Sequence, residues 1–375
     1  MSVTETAITR RGALALGAGA VIGGLGLSGT AKAASEGTQV TLTPAQRAGQ
    51  RVIFSYPGAT PPASLLDQIS AGEAGGVIFF GENITSLSQI AGVVSQLKAA
   101  HDASPVRSPL LLMTDQEGGI VRRLPGEPVL SEKQIGASSD PGAEAANAGT
   151  GAGQNLAGVG MNLNLAPVLD VFRQAGNFDD EFGRSYSMDP NVAAECGAAF
   201  ITAQQALNIA ATSKHFPGLG AATVDQNTDL GPVTLDVPLA DLRSIDELPF
   251  QSAIAAGVQL IMTSWAVYPA LDPKLPSGLS PTIVQGELRR RLKFRGVTIT
   301  DALEAGAIAA FGTPAQCGVL AAQAGMDVLL CSARDVSEGQ DTVAALADAL
   351  QHHDLDPGQF EVALRRVLAL RDSLA

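Results

Sequence analysis

Residues that cross-link chains or bind metals are scarce in this sequence. Only three cysteines, Cys196, Cys317 and Cys331, occur in 375 residues. They are odd in number, far apart and set among Ala, Gly, Val and Leu, so buried free thiols are expected rather than a disulfide framework. Four histidines, His101, His215, His352 and His353, show no Cys/His spacing of a zinc site. No metal or cofactor is expected. Aromatic residues make up 4% of the chain, and abundant Ala and Gly take their place, which implies closely packed small-residue helices. No basic run occurs and the net charge is −13, which argues against nucleic acid or an anionic membrane as the main partner. No long linker or internal low-complexity stretch marks a second domain, and a monomer is expected.

What is present begins with a targeting segment. Thr9-Arg10-Arg11 precedes a weakly apolar, Gly-rich run from Gly12 to Gly29, followed by Ala31-Lys32-Ala33 in an A-x-A pattern. Paired arginines ahead of such a run resemble a twin-arginine export signal, so residues 1–33 are read as a removable signal and the protein as exported or held in the cell envelope. Retention of the segment as an anchor is the alternative.

Beyond it, short apolar runs recur, each with a polar or Gly-rich exit. They are Val52 to Phe54, Val77 to Phe80, Leu110 to Met113, Met161 to Leu165, the run ending at Lys214-His215, Gln259 to Met262, Val297 to Thr300 and Asp327 to Leu330. Helical patterns lie between them, such as Ile90 to His101, Ala143 to Val159 and Val192 to Asn208, and a helix from Pro357 to Leu374 closes the chain. Strands alternating with helices imply parallel βαβ units. Eight of them predict an α/β fold, a single-domain (β/α)₈ TIM barrel over residues 43–375, with its site at the C-terminal strand ends. A doubly wound open sheet would want a Gly-rich turn after its first strand, and Ser55-Tyr56-Pro57-Gly58 is a poor one.

The stretch from Ala211 to Val233 organises the site. Its strand ends in Lys214-His215 and breaks at Phe216-Pro217-Gly218, and a small-residue loop then carries Asp225, Asn227 and Asp229. In a barrel, Asp115, Arg123, Asp170, Arg184, Lys214, His215 and Asp301 gather at one mouth. Each has a structural alternative: Asp170 as a loop cap, Arg184 as a partner of Asp180. Together they make a polar pocket suited to gripping sugar hydroxyls.

Five motifs resemble glycoside hydrolase family 3, and its single-domain bacterial β-N-acetylhexosaminidases above all. They are KHFPG at Lys214, DQEGG (Asp115 to Gly119), LAPVLDV (Leu165 to Val171), GRSYSMDP (Gly183 to Pro190) and ITDALEAGAI (Ile299 to Ile308). The resemblance implies a retaining exo-β-glycosidase acting on a carbohydrate, with a terminal N-acetyl-β-D-glucosaminide of cell-wall or chitin fragments as the expected substrate. It implies Asp301 as the nucleophile, and Asp115, Arg123, Arg184, Lys214 and His215 as the residues that hold the sugar. The family branch usually reads KHFPGHGD…DSH, with an Asp-His pair as general acid/base. Here Leu219 replaces the first His, and Asp225-Gln226-Asn227 stands in place of Asp-Ser-His. The loop offers Asp229 and Asp225 as substitute acids. Ile120 stands where Arg is usual, and Trp265 where His is usual. A sugar-binding relative that has lost the acid is the second reading, and an aldolase using Lys214 as Schiff base the third.

Replacing Arg10 and Arg11 together with Lys is expected to strand the precursor in the cytoplasm. Cell fractionation checks this, and normal export of the variant would defeat the signal assignment.

Overall fold

The computed structural model describes residues 42–375; the proposed signal over residues 1–33 lies outside them. Eight parallel strands close into a barrel. They are β1 (Val52–Phe54), β2 (Gly76–Ile78), β3 (Leu111–Thr114), β4 (Leu163–Asn164), β5 (Ala210–Phe216), β6 (Leu260–Thr263), β7 (Val297–Ala302) and β8 (Val328–Leu330). Each pairs with its neighbours in sequence, and β8 returns to β1 through Val52↔Leu329. The chain is thus a (β/α)₈ barrel, and all eight apolar runs become its strands.

Helix starts fall earlier than hydrophobic periodicity alone indicates. The helix expected from Ala143 spans Pro141–Gly158, and that expected from Val192 spans Pro190–Gln205. Asp140 and Asp189 each accept a backbone N–H of the first turn, with Pro at the first helical position, so an Asp-Pro pair sets each boundary. The two helices pack closely because small residues face each other: a Cβ on Gly149 would stand 2.3 Å from the Phe200 carbonyl oxygen. All three cysteines are buried and free.

Alternation along each strand decides what reaches the site. Val52 and Phe54 pack outward under the helices, whereas Ile53 points into the barrel with Leu111, Met113, Val297 and Ile299. Continuing the inward stripe two residues at a time leads from Leu111 and Met113 to Asp115, and from Val297 and Ile299 to Asp301. It leads likewise from Ala210 through Thr212 to Lys214. All three end positions line the same cavity at the C-terminal strand ends.

The opposite end is sealed by the last helix, Pro357–Ser373, whose Val367 and Leu370 join the barrel interior. Arg371 is fully buried there. Its Nε donates to the Pro109 carbonyl at 2.6 Å, one terminal nitrogen to that of Ser108 at 2.6 Å, and the other to Gln50 Oε1. Arg371→Leu keeps much of the bulk but leaves the buried Gln50 Oε1 and the partly buried Pro109 carbonyl unpaired, while the Ser108 carbonyl keeps His101 Nε2 at 2.9 Å. A loss of about 3 kcal/mol of stability is expected, read from urea unfolding; a loss below about 1 kcal/mol would show that the clasp contributes little.

Candidate active site

A cavity of about 540 Å³ opens at the C-terminal end of the barrel, within the range of a small-ligand site. Ile78, Leu165, Met262 and Leu330 floor it, and Asp115, Arg123, Arg184, Lys214, His215, Asp229 and Asp301 line it. The structure therefore brings together every site residue expected from sequence except Asp225, which lies exposed and outside the cavity lining.

Glu117 ties the cations in place. Its carboxylate accepts from Arg184 Nε and a terminal nitrogen, both at 2.9 Å, and pairs with Lys214 Nζ at 2.8 Å. Lys214 also donates to Asp115 at 2.8 Å. Burial alone would raise the Glu117 pKa, but the Arg184 and Lys214 charges outweigh it and hold the group at about 2. Burial likewise works against the Lys214 ammonium, and Asp115 and Glu117 reverse that, so its pKa rises. Two carboxylates engage the Lys214 ammonium, an environment opposite to the apolar one that activates a Schiff-base lysine, so the aldolase reading is not favoured.

His215 is held from beneath. Its Nδ1 lies 2.7 Å from Asp170 Oδ2, and the same carboxylate accepts the backbone N–H of His215 and, at 2.5 Å, that of Leu219. Asp170 is thus a loop cap and a site member at once. Burial pushes the His215 pKa down, but Asp170 prevails and raises it. Arg184 does not pair with Asp180: its other partner is Asp179, at 3.5 Å, while Asp180 pairs with Lys133. Burial, with Asp170 nearby, pushes Asp179 up to about 7.

Among the described residues, donor atoms of Asp170, Asp179 and His215 lie within 4.8 Å of one another, a grouping that sequence spacing did not suggest. The His215 Nδ1 is already engaged by Asp170, and the Arg184 guanidinium beside Asp179 opposes a further cation. Asp170 and His215 are hydrogen-bonded to each other, whereas neither oxygen of Asp179 has a hydrogen-bond partner among the described residues.

Asp301 sits at the end of β7, its Oδ1 accepting the N–H of Ala302 at 2.8 Å. Trp265 fixes that strand end from the side, donating Nε1 to the Ala302 carbonyl at 2.7 Å. Above it, Asn227 Oδ1 accepts the N–H of Asp229 at 2.8 Å, a local turn that aims Asp229 into the cavity. Asp229 keeps contact with solvent, yet partial burial and then the Asp301 charge raise its pKa. Leu219 is buried in the wall, and Ile120 is 68% exposed. Arg123 lines the cavity, and its buried Nε has no hydrogen-bond partner among the described residues.

Sequence reasoning missed Glu117 as the anchor, although it lies inside DQEGG, and missed the wall of Glu304, Ser332 and Arg334. Ser332 was findable: it is the next inward position after Val328 and Leu330. Its hydroxyl donates to Glu304 at 2.7 Å.

Residues 53–370 match the family model described as the glycosyl hydrolase family 3 N-terminal domain. An uncharacterized secreted glycosyl hydrolase of Arthroderma benhamiae is 46% identical over 338 residues, covering 90% of this chain and 95% of that protein. A β-N-acetylhexosaminidase structure from Beutenbergia cavernae superposes with a TM-score of 0.80 at 37% identity, covering 88% of this chain and 99% of that one. A family 3 β-N-acetylglucosaminidase structure from Paenibacillus gives a TM-score of 0.84 at 32% identity. That match covers 89% of this chain and 63% of the other, which is longer.

Glu117→Gln leaves Arg184 and Lys214 without their shared anion, and a loss of about 3 kcal/mol is expected at neutral pH. Because its folded pKa is depressed, Glu117 stabilises the fold above its ordinary value of 4.5, and that contribution is lost as pH falls toward about 2. Chemical denaturation from pH 7 to 2.5 should therefore show wild type converging on the variant below pH 4.5. A constant gap would contradict the assignment.

Proposed function

The chain belongs to glycosyl hydrolase family 3, and we propose that this glycoside hydrolase is a retaining exo-β-glycosidase that releases terminal N-acetyl-β-D-glucosamine from cell-wall or chitin fragments. The observation that carries the reading is the convergence of Asp301, Asp229 and the Asp115–Arg123–Arg184–Lys214–His215 set on one cavity. The sugar preference rests on the hexosaminidase relatives. Export through the paired arginines is part of the proposal and is in keeping with the secreted Arthroderma relative. No described helix is long and apolar enough to cross a membrane.

In this reading Asp115, Arg123, Arg184, Lys214 and His215 hold the ring hydroxyls. Asp301 attacks the anomeric carbon as a carboxylate while Asp229 gives its proton to the departing oxygen. Partial burial and then the Asp301 charge raise the Asp229 pKa, the direction that a general acid requires. Forming the glycosyl ester neutralises Asp301, which removes that influence, so Asp229 is then suited to take a proton from the incoming water. Asp229 is preferred to Asp225 because only Asp229 lines the cavity.

A sugar-binding protein without turnover is the second reading. Leu219 and Asn227 favour it, since neither can supply the imidazole that the family branch uses.

Asp301→Asn is expected to lower hydrolysis of p-nitrophenyl β-N-acetylglucosaminide by several orders of magnitude while the fold survives. Asp229→Ala should lower kcat/KM for a disaccharide by about 10²- to 10⁴-fold. It should spare kcat/KM for the aryl glycoside, whose phenolate leaves without a proton. Wild type inert toward every glycoside would hand the site to the binding reading, and full activity in Asp301→Asn would overturn the mechanism.

A further inference from the structure

The loop that carries Asp229 rests on the loop that carries Asp301. Beyond the Asn227 turn, the Asp229 carbonyl accepts the N–H of Gly306 at 2.9 Å, and the Thr228 carbonyl that of Ala307 at 3.0 Å. Thr228 is buried. The contact is close because residue 306 has no side chain. A Cβ there would stand 2.6 Å from the Leu230 carbonyl carbon and oxygen and 3.0 Å from the Asp229 carbonyl oxygen. Gly306 is not among the glycines with positive φ. Glycine therefore supplies space here rather than conformational freedom.

On its other side, the segment from Ala302 to Gly306 is fixed to the barrel. Trp265 Nε1 holds the Ala302 carbonyl, and the N–H of Leu303 bonds the Leu330 carbonyl at 3.1 Å. Two carboxylates from distant parts of the sequence thus share one backbone frame.

We propose that the Gly306–Ala307 edge is a latch that sets the position of Asp229 relative to Asp301, making Gly306 a positioning residue for proton transfer to the leaving group. This rests on the reading of Asp229 as the acid. A methyl group at 306 meets backbone atoms, which cannot rotate away as a side chain would, so the loop itself must move. Proton transfer tolerates little such movement: a misplacement of about 1 Å lowers rates by about 10²-fold. Nucleophilic attack by Asp301 does not need the latch.

The test compares kcat/KM, which reports the first chemical step, for N,N′-diacetylchitobiose and for p-nitrophenyl β-N-acetylglucosaminide. Gly306→Ala is expected to lower the disaccharide value by about 10- to 100-fold and to leave the aryl glycoside nearly unchanged. Ala307→Pro, which removes the N–H given to Thr228 and sets a ring carbon against that carbonyl, should show the same split. It is a second readout should Gly306→Ala fold poorly, and kcat/KM for the aryl glycoside reports folded enzyme in each case. In an Asp229→Ala background, Gly306→Ala should cause no further loss on the disaccharide. Equal loss on both substrates, or full additivity with Asp229→Ala, would make Gly306 merely structural and overturn the latch. If Asp229→Ala itself fails to separate the two substrates, the acid assignment falls first. If Asp229→Ala separates them and neither latch variant does, the latch alone is wrong.

Discussion

One buried carboxylate holds the site together. Glu117 comes from the turn after β3, Lys214 from the end of β5, and Arg184 from the long segment after β4, and the three meet at the base of the cavity, with Glu117 and Lys214 buried and Arg184 partly so. Alone, each charge would be expensive to bury; joined, each supplies the other's counter-ion and hydrogen bonds. The barrel brings the parts to one rim, but the ion cluster fixes their orientation. Asp115 extends the cluster along the cavity lining through Lys214, and Glu117, outside that lining, anchors the cations that face the cavity.

The barrel was legible in the sequence because each strand is a short apolar run with a polar exit, and eight such runs leave few alternatives. The expected site residues were legible for a related reason: strand ends of a barrel converge whatever their separation along the chain. What stayed hidden was pairing. Asp179 and Asp180 are equivalent on paper, and only the short helix Phe178–Glu181 turns the first toward Arg184 and the second toward Lys133. Asp229 was preferred to Asp225 on paper without a geometric reason, which the Asn227 side chain supplies by capping a turn that brings Asp229 to the cavity and leaves Asp225 outside. Glu117 was hidden by its motif, since a conspicuous run does not say which member is buried.

The departures from the family pattern have distinct physical outcomes. Trp265, in place of a histidine, keeps a ring N–H and spends it on the backbone beside Asp301. Ile120, in place of an arginine, points into solvent. Leu219 closes the wall with an apolar side chain while its N–H still serves Asp170. Asn227, which cannot exchange a proton, shapes the turn that presents Asp229.

The clasp at the closed end of the barrel bears on how the chain reaches this state. Arg371 bonds Gln50 across 321 positions of sequence and Pro109 across 262. Contacts so distant are limited by loop closure, and they form only after nearer pairings have shortened the effective path. The inward-facing β1 side chains and the final helix that seals them are therefore united late, whatever order the intervening βα units adopt. The lower layer of the barrel interior, which includes Val367 and Leu370, is therefore complete only when the final helix is in place, so the first strand depends on the last segment of the chain for its cover.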